Sequence, residues 1–313
     1  MNGLELSEQY FEEYGRPMLE RDFPDLLPFL AAGLVGRGSE RFGFDDAVSR
    51  DHDFEPGFLL FLPGEDVVDR RTAFLLERAY AKLPKEYAGV RRNLVAPVGG
   101  PRHGVFRTAE FYEKHIGGAA VPTTYEEWKA LPEYARAEAT NGKVFFDYYG
   151  QFSDIRQALR KLPEDIRRKR LAGQLLLAAQ AGQYNYGRCL AHGETGAAQL
   201  ALHAFAEACL ASVFLLNNRP MPFYKWQFRA LRDCSVLSAL APELEYLLSS
   251  GNAKPEAEKK IKKTEAISAA LIAEVKRQGL STSESPDLED HAYQVNDSIK
   301  DADIRMRHIL DLV

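Results

Sequence analysis

Two aspartates two residues apart, Asp51 and Asp53 in Ser49-Arg-Asp-His-Asp-Phe54, follow the glycine-rich segment Gly33-Leu-Val-Gly-Arg-Gly-Ser39-Glu-Arg-Phe-Gly43. On a pleated strand, residues i and i+2 point to one face, about 6.6 Å apart at roughly 3.3 Å per residue. Two carboxylates held that close repel each other unless a cation lies between them, and hard oxygen ligands of this kind suit Mg2+ that also holds substrate phosphates. The Gly38-Ser39 turn supplies the other half: glycine lets backbone N–H groups approach an anion, and the serine hydroxyl adds a donor. Together they suit nucleotidyl transfer, an in-line displacement in which one ion activates the acceptor oxygen and a second supports the pyrophosphate leaving group. Arg41 stands between turn and carboxylates, where it reaches a phosphate or forms a surface salt bridge. His52 reads as a hydrogen-bonded histidine beneath a sheet, and Asp45-Asp46 as loop charge.

Strands must carry these residues. The apolar run Leu30–Gly36 predicts a buried strand running into the turn, and Arg50–Phe54 a second one, extended further over Phe58–Leu62 after Glu55-Pro56-Gly57. Apolar residues at helical spacing predict helices over 3–22 and 66–83, and the stretch 92–105 reads as loop. Thr124 and Glu127 form a capping box that opens a helix through Trp128, Leu131 and Tyr134; after the Asn141-Gly142 turn, Lys143–Tyr148 reads as a strand.

From Asp154 onward only helical patterns remain: 154–162, 164–181, 196–216, 222–234, 256–278 and 287–312, the last with Ser285 as N-cap and Pro286 at its first position. Ala197–Leu216 is apolar nearly all round and should be the central helix of a bundle. Tyr184, Asn185 and Arg188 fall in a glycine-flanked break between helices, and Lys225 in the first turn of a helix, where a cation gains if an anion is near. The charge run Arg167-Arg-Lys-Arg170 reads as a solvated helix face.

Gly38-Ser39, Gly43 and Ser49-x-Asp51-x-Asp53 resemble the signature of the polymerase-β-type nucleotidyltransferase superfamily. Within it, the chain is similar to the kanamycin and aminoglycoside nucleotidyltransferase type. It is similar also to an uncharacterised bacterial family that shares Phe42-Gly-Phe-Asp-Asp46, Ser49-Arg-Asp-His-Asp-Phe54, Asn185-Tyr-Gly-Arg188 and Pro222-Phe-Tyr-Lys-Trp226. His52 departs from the superfamily pattern, where that position is generally aliphatic. The resemblance implies a third carboxylate on a later strand, for which Asp147 is the candidate, as metal ligand or general base; the competing reading is that Asp147 only ends its strand. It also implies that Lys225 contacts nucleotide phosphates; Tyr184, Asn185 and Arg188, from their place in the break between helices, are candidates to line the nucleotide cleft.

Composition sets the outer bounds. With 40 Lys and Arg against 45 Asp and Glu, a net charge of −5 disfavours a dedicated nucleic-acid binder. No uninterrupted apolar run reaches the roughly 18 residues a membrane span needs, and the acidic first 25 residues do not read as a signal peptide, so a cytoplasmic protein is expected. Cys189, Cys209 and Cys234 are too widely spaced for a zinc site and read as buried thiols. The expectation is an α+β chain: a nucleotidyltransferase domain over 1–155, an α-helical domain over 156–313, and an active site in the cleft between them. It would bind two Mg2+ ions and ATP or another nucleoside triphosphate, and move a nucleoside monophosphate onto a hydroxyl of a small molecule or protein, acting alone or as a homodimer. Competing readings are a nucleotide-binding regulatory or protein-interaction module without turnover, and an enzyme that modifies RNA ends.

Overall fold

The computed structural model describes residues 1–48, 54–92 and 102–313. The chain is α+β and divides into two compact units, Met1–Thr123 with Ala130–Arg160, and Thr124–Lys129 with Lys161–Val313.

In the first unit, α1 (Gly3–Tyr10) opens on a capping box: the Asn2 side chain accepts from the Glu5 N–H, and the Glu5 carboxylate accepts from the Asn2 N–H, both at 2.9 Å. A π-helical turn, Phe11–Gly15, carries the chain into α2 (Arg16–Asp22). Pro17 explains the widening: it has no N–H for the preceding turn and its ring crowds that turn's carbonyl, while Arg16 N–H reaches back five residues to Phe11 O. Gly15 is required by close approach, because a Cβ there would fall 2.5 Å from the Phe58 ring.

Along the chain follow β1 (Ala31–Leu34), β2 (Leu59–Leu62), α3 (Arg70–Ala81), the short hairpin β3 (Glu86–Tyr87) and β4 (Val90–Arg91), then β5 (Gly104–Arg107) and α4 (Thr108–Ile116). Next come α5 (Tyr125–Ala130), α6 (Glu133–Thr140), β6 (Lys143–Asp147) and α7 (Gln151–Arg160). The four-stranded sheet has the order β5-β2-β1-β6, with β1 antiparallel to both neighbours and β2 parallel to β5. All residues of β1 and β2 are buried, as expected of central strands covered on both faces. Tyr10, Phe11, Leu19, Phe58, Leu60 and Leu76 form one cluster, while Phe61 stacks on Phe152 at 4.0 Å and meets Phe111 edge-on at 5.2 Å.

The register gives the sheet two distinct ends. At one, Leu34 pairs with Lys143, Gly33 with Leu59, and Leu59 with Gly104; β1 leaves the sheet here, and β2, β5 and β6 start. At the other, Ala31 pairs with Asp147 and with Phe61.

The second unit holds most of α5 with α8 (Glu164–Ala178), a π-helical segment Ala179–Tyr186, α9 (Gly187–Ala191), α10 (Thr195–Leu216), α11 (Tyr224–Arg232), α12 (Ala241–Ser249), α13 (Lys254–Arg277), α14 (Leu288–Asp297) and α15 (Ala302–Met306). Helix α10 is its centre, packed by α8, α12 and α13. By length and composition α10 could cross a membrane, with mean hydropathy 1.6, although Gln199, His203 and Glu207 interrupt its apolar run. Its C-terminal half is buried inside the protein, as in a core helix.

Several expectations are corrected here. The stretch read as loop ends in β5, and α4 follows without pause. Of the strand expected over 50–54, residues 50–53 lie outside the described residues and Phe54 is not in a strand. Thr124–Lys129, placed with the first domain by sequence, packs with the second unit: Tyr125 Oη and Lys129 Nζ donate to Asp311 at 2.8 and 2.6 Å. The helix expected over 287–312 is two, and α14 starts at Leu288 behind Asp287 rather than at Pro286. The glycine-flanked break around Tyr184 is helical, the end of the π segment running straight into α9. The Arg167–Arg170 run is not a solvated face: Arg167, Lys169 and Arg170 are buried, donating to Leu215 O, Arg307 O and Trp128 O respectively. Cys209 and Cys234 are buried as expected, and burial pushes both thiols up; Cys189 is half-buried.

Candidate functional site

The glycine-rich turn leaves β1 at the end of the sheet where β2, β5 and β6 start. Gly36 and Gly38 have φ of +100° and +136°, values that L side chains rarely adopt, so the sequence must place glycine there to reverse the chain so soon after the strand. The Asn141 side chain fixes the turn, accepting from Gly36 N–H at 2.8 Å and donating to Gly36 O at 2.7 Å. Arg156 of α7 in turn holds the Asn141-Gly142 reversal, donating to both carbonyls at 3.0 Å; burial lowers its pKa to about 10. His115 of α4 lies against Gly36, its Nδ1 bonded to Phe111 O at 2.8 Å, and burial pulls its pKa down to about 4.

Ser39 precedes a short 3-10 turn, Glu40–Phe42, and its carbonyl accepts from Phe42 and Phe44 N–H. Among the described residues its hydroxyl has no hydrogen-bond partner, so it is available to a ligand. Gly38 is different. A Cβ there would lie 2.4 Å from either oxygen of the Glu40 carboxylate, so the space that a phosphate oxygen would use beside this glycine is held by a protein anion. Glu40 Oε1 accepts from Arg41 Nη1 at 2.7 Å, and Arg41 Nη2 donates to Arg102 O at 2.6 Å. Arg41 is thus neither a surface salt bridge nor an extended arm; it is a buried guanidinium paired with the carboxylate that covers Gly38.

A narrow crevice at this end is lined by Leu34, Glu40, Arg41, Glu55, Arg102 and His103, among others. Glu55 is almost fully buried and contacts His103 Nε2 at 3.0 Å. Neither Glu40, Glu55 nor His103 was singled out from the sequence. Glu55 carried a signal all the same, since it extends the alternation Asp51-x-Asp53 by two more residues. Asp51 and Asp53 themselves, with His52, lie outside the described residues; Phe54, next to Asp53 in sequence, lines the crevice. Among the described residues, no three His, Cys, Asp or Glu side chains are grouped to hold a metal ion. Asp45, read as loop charge, accepts from Gly3 N–H at 2.9 Å at the start of α1.

Asp147 lies at the opposite end of β6, paired with Ala31. Its Oδ1 accepts from Gly150 N–H at 2.7 Å and its Oδ2 from Ser153 N–H at 2.8 Å, so both oxygens serve the first turn of α7. This corrects the catalytic and metal-ligand assignment: Asp147 ends its strand and caps a helix, separated from the Gly38-Ser39 turn by the length of β1.

In the second unit, Tyr184 is exposed near the end of the π segment with the Arg188 guanidinium 5.0 Å over its ring. Lys225 lies exposed in the first turn of α11, its Nζ 5.3 Å from the centre of the Trp226 ring. An ammonium over an aromatic face is held there by the ring's negative face.

The family model described as Domain of unknown function (DUF4037) matches residues 128–227, about a third of the chain, which takes in Asp147, Tyr184 and Lys225 but not the Gly38-Ser39 turn. No curated protein and no solved structure matches the chain.

Proposed function

We propose that the chain is a metal-dependent nucleotidyltransferase that moves a nucleoside monophosphate, AMP from ATP, onto a hydroxyl of a small molecule or protein. The observation that carries this reading is the convergence at one end of the sheet: a tight Gly36–Ser39 turn whose serine hydroxyl has no hydrogen-bond partner among the described residues, the Glu55 carboxylate leading into β2, and Arg102 and His103 leading into β5. The motif Ser49-x-Asp51-x-Asp53 ends next to Phe54, which lines the crevice, and its resemblance to the nucleotidyltransferase superfamily points the same way.

In this proposal Asp51 and Asp53 hold Mg2+, which when bound offsets the charge of the triphosphate and of the departing pyrophosphate. Ser39 donates to a phosphate oxygen, and a phosphate takes the place of the Glu40 carboxylate beside Gly38, keeping Arg41 paired throughout. Glu55, held by His103, takes over from Asp147 as the further carboxylate of the site. As a carboxylate it can accept the proton of an incoming hydroxyl.

The test is the thermal midpoint of the full chain with ATP, GTP, CTP and UTP, with and without Mg2+, read alongside pyrophosphate release. A ligand that binds only the native state adds roughly 2.7 kcal/mol at a hundredfold excess over its Kd, so Mg2+-dependent stabilisation by at least one triphosphate is expected. No shift with any of the four contradicts the proposal.

A further inference from the structure

The second unit contains a pocket of about 400 Å3 that the transfer reading does not use. That size is within the range of sites for small organic ligands. Its walls come from α8, the π segment, α10 and the start of α11. The floor is apolar, formed by Leu177, Ala181, Ala208, Ala211 and Met221.

The π segment gives the pocket its polar edge. Residues five apart in a π-helix lie on one face, which an α-helix would not allow. Gln180 and Asn185 are such a pair, and both line the pocket. Gly182 makes the segment fit, because a Cβ there would fall 2.3 Å from the Phe205 ring of α10. Gln174, one and a half turns before Gln180, adds a third carboxamide. Among the described residues, none of these three side chains makes a hydrogen bond. Each offers two donors and an acceptor to whatever enters.

The charges narrow the ligand. Among the described residues no lysine or arginine lines the pocket, and its one charged side chain is Glu207, whose carboxylate lies 3.3 Å from His203 Nε2. A phosphate or carboxylate would meet an anion there with no cation to offset it. All the lining residues except Val313 fall within the segment 128–227 that matches the family model.

We propose that this pocket binds an uncharged ring-bearing small molecule of nucleoside or sugar size, its apolar face on the alanine floor and its hydrogen-bonding edge read by Gln174, Gln180 and Asn185. The proposal goes beyond the transfer reading and stands on the helical unit alone. The test uses the full chain with adenosine and glucose as the two probes, each beside its phosphorylated counterpart, adenosine 5′-monophosphate and glucose 6-phosphate, followed by saturation-transfer NMR and titration. Ala204 is exposed on the pocket rim, so Ala204→Trp fills the opening without entering the core. Gln180→Leu with Asn185→Leu removes the polar edge and keeps the volume. At least one uncharged probe should bind, at least tenfold more tightly at this site than its phosphorylated form, and lose that binding in both variants. Whether adenosine or glucose binds tells a base edge from a sugar edge. Binding by neither probe, binding indifferent to both variants, or equal binding of the phosphorylated form overturns the proposal. The Mg2+-dependent shift with nucleoside triphosphates is read separately, so failure here and failure of the transfer reading are told apart.

Discussion

The two ends of the sheet in the first unit both carry acidic residues, and they use them in opposite ways. At the Ala31 end, Asp147 gives each carboxylate oxygen to a backbone N–H of the turn into α7. At the Leu34 end, Glu40 lies over a glycine that has no side chain, and Glu55 is buried against His103 beside a crevice. An acid saturated by helix N–H groups is structure. In the proposed function, an acid folded into the space of a missing Cβ and paired with a guanidinium is the group that a ligand displaces. What separates the two is what faces the carboxylate, backbone N–H groups at one end and a guanidinium or an imidazole at the other, which strand order and residue type do not record.

The contrast can be broken most severely at Asp51 and Asp53. Asp51→Asn or Asp53→Asn should lower pyrophosphate release by more than the roughly 10–100-fold typical of losing a supporting residue around a metal, with unfolding transitions unchanged. Glu40→Gln comes next. With the competing charge beside Gly38 removed, affinity for MgATP should rise about tenfold, equivalent to about 1.4 kcal/mol, as measured by calorimetry; weaker binding would show that Glu40 organises the turn rather than obstructing it.

At the other end, Asp147→Ala should cost about 1 kcal/mol in denaturant unfolding, the usual loss for a helix cap, while turnover per folded molecule stays within about threefold, well short of what a lost metal ligand costs. The smallest effect belongs to His115 beside Gly36. Its pKa in the folded protein, about 4, lies below the ordinary histidine value, so the unfolded chain binds the proton more readily. Its contribution to stability is present above the ordinary value and is lost as the pH falls toward 4. His115→Asn should flatten this part of the stability profile, seen as a smaller drop in thermal midpoint between pH 6.5 and 4.

Much of the architecture was legible because burial writes itself as period. The run Leu30–Gly36 and the β-prone Val144–Phe146 after the Asn141-Gly142 turn marked β1 and β6, and the nearly all-apolar Ala197–Leu216 marked the centre of the helical unit. What escaped depends on partners far away in sequence. Arg167, Lys169 and Arg170 look like a solvated run, yet they are buried because backbone carbonyls from Leu215, Arg307 and Trp128 receive them. The π segment at 179–186 is set by Gly182 against Phe205, a contact no local pattern announces. Strand β5 is four residues long and follows a Gly-Pro-rich stretch, too short for alternation to register. For the site, Gly38 and Ser39 could be read from the turn they require. The choice between Asp147 and Glu55 could not, since both sit beside strands and only the register shows that they lie at opposite ends.

The most direct measurement of which end does the chemistry is a calorimetric titration with Mg2+ and a non-hydrolysable ATP analogue, run in parallel on the wild-type chain, Asp53→Asn and Asp147→Ala. Wild type and Asp147→Ala should bind the analogue alike, with the same Mg2+ dependence, and Asp53→Asn should lose the Mg2+-dependent part. Loss of that part in Asp147→Ala with retention in Asp53→Asn would contradict the account.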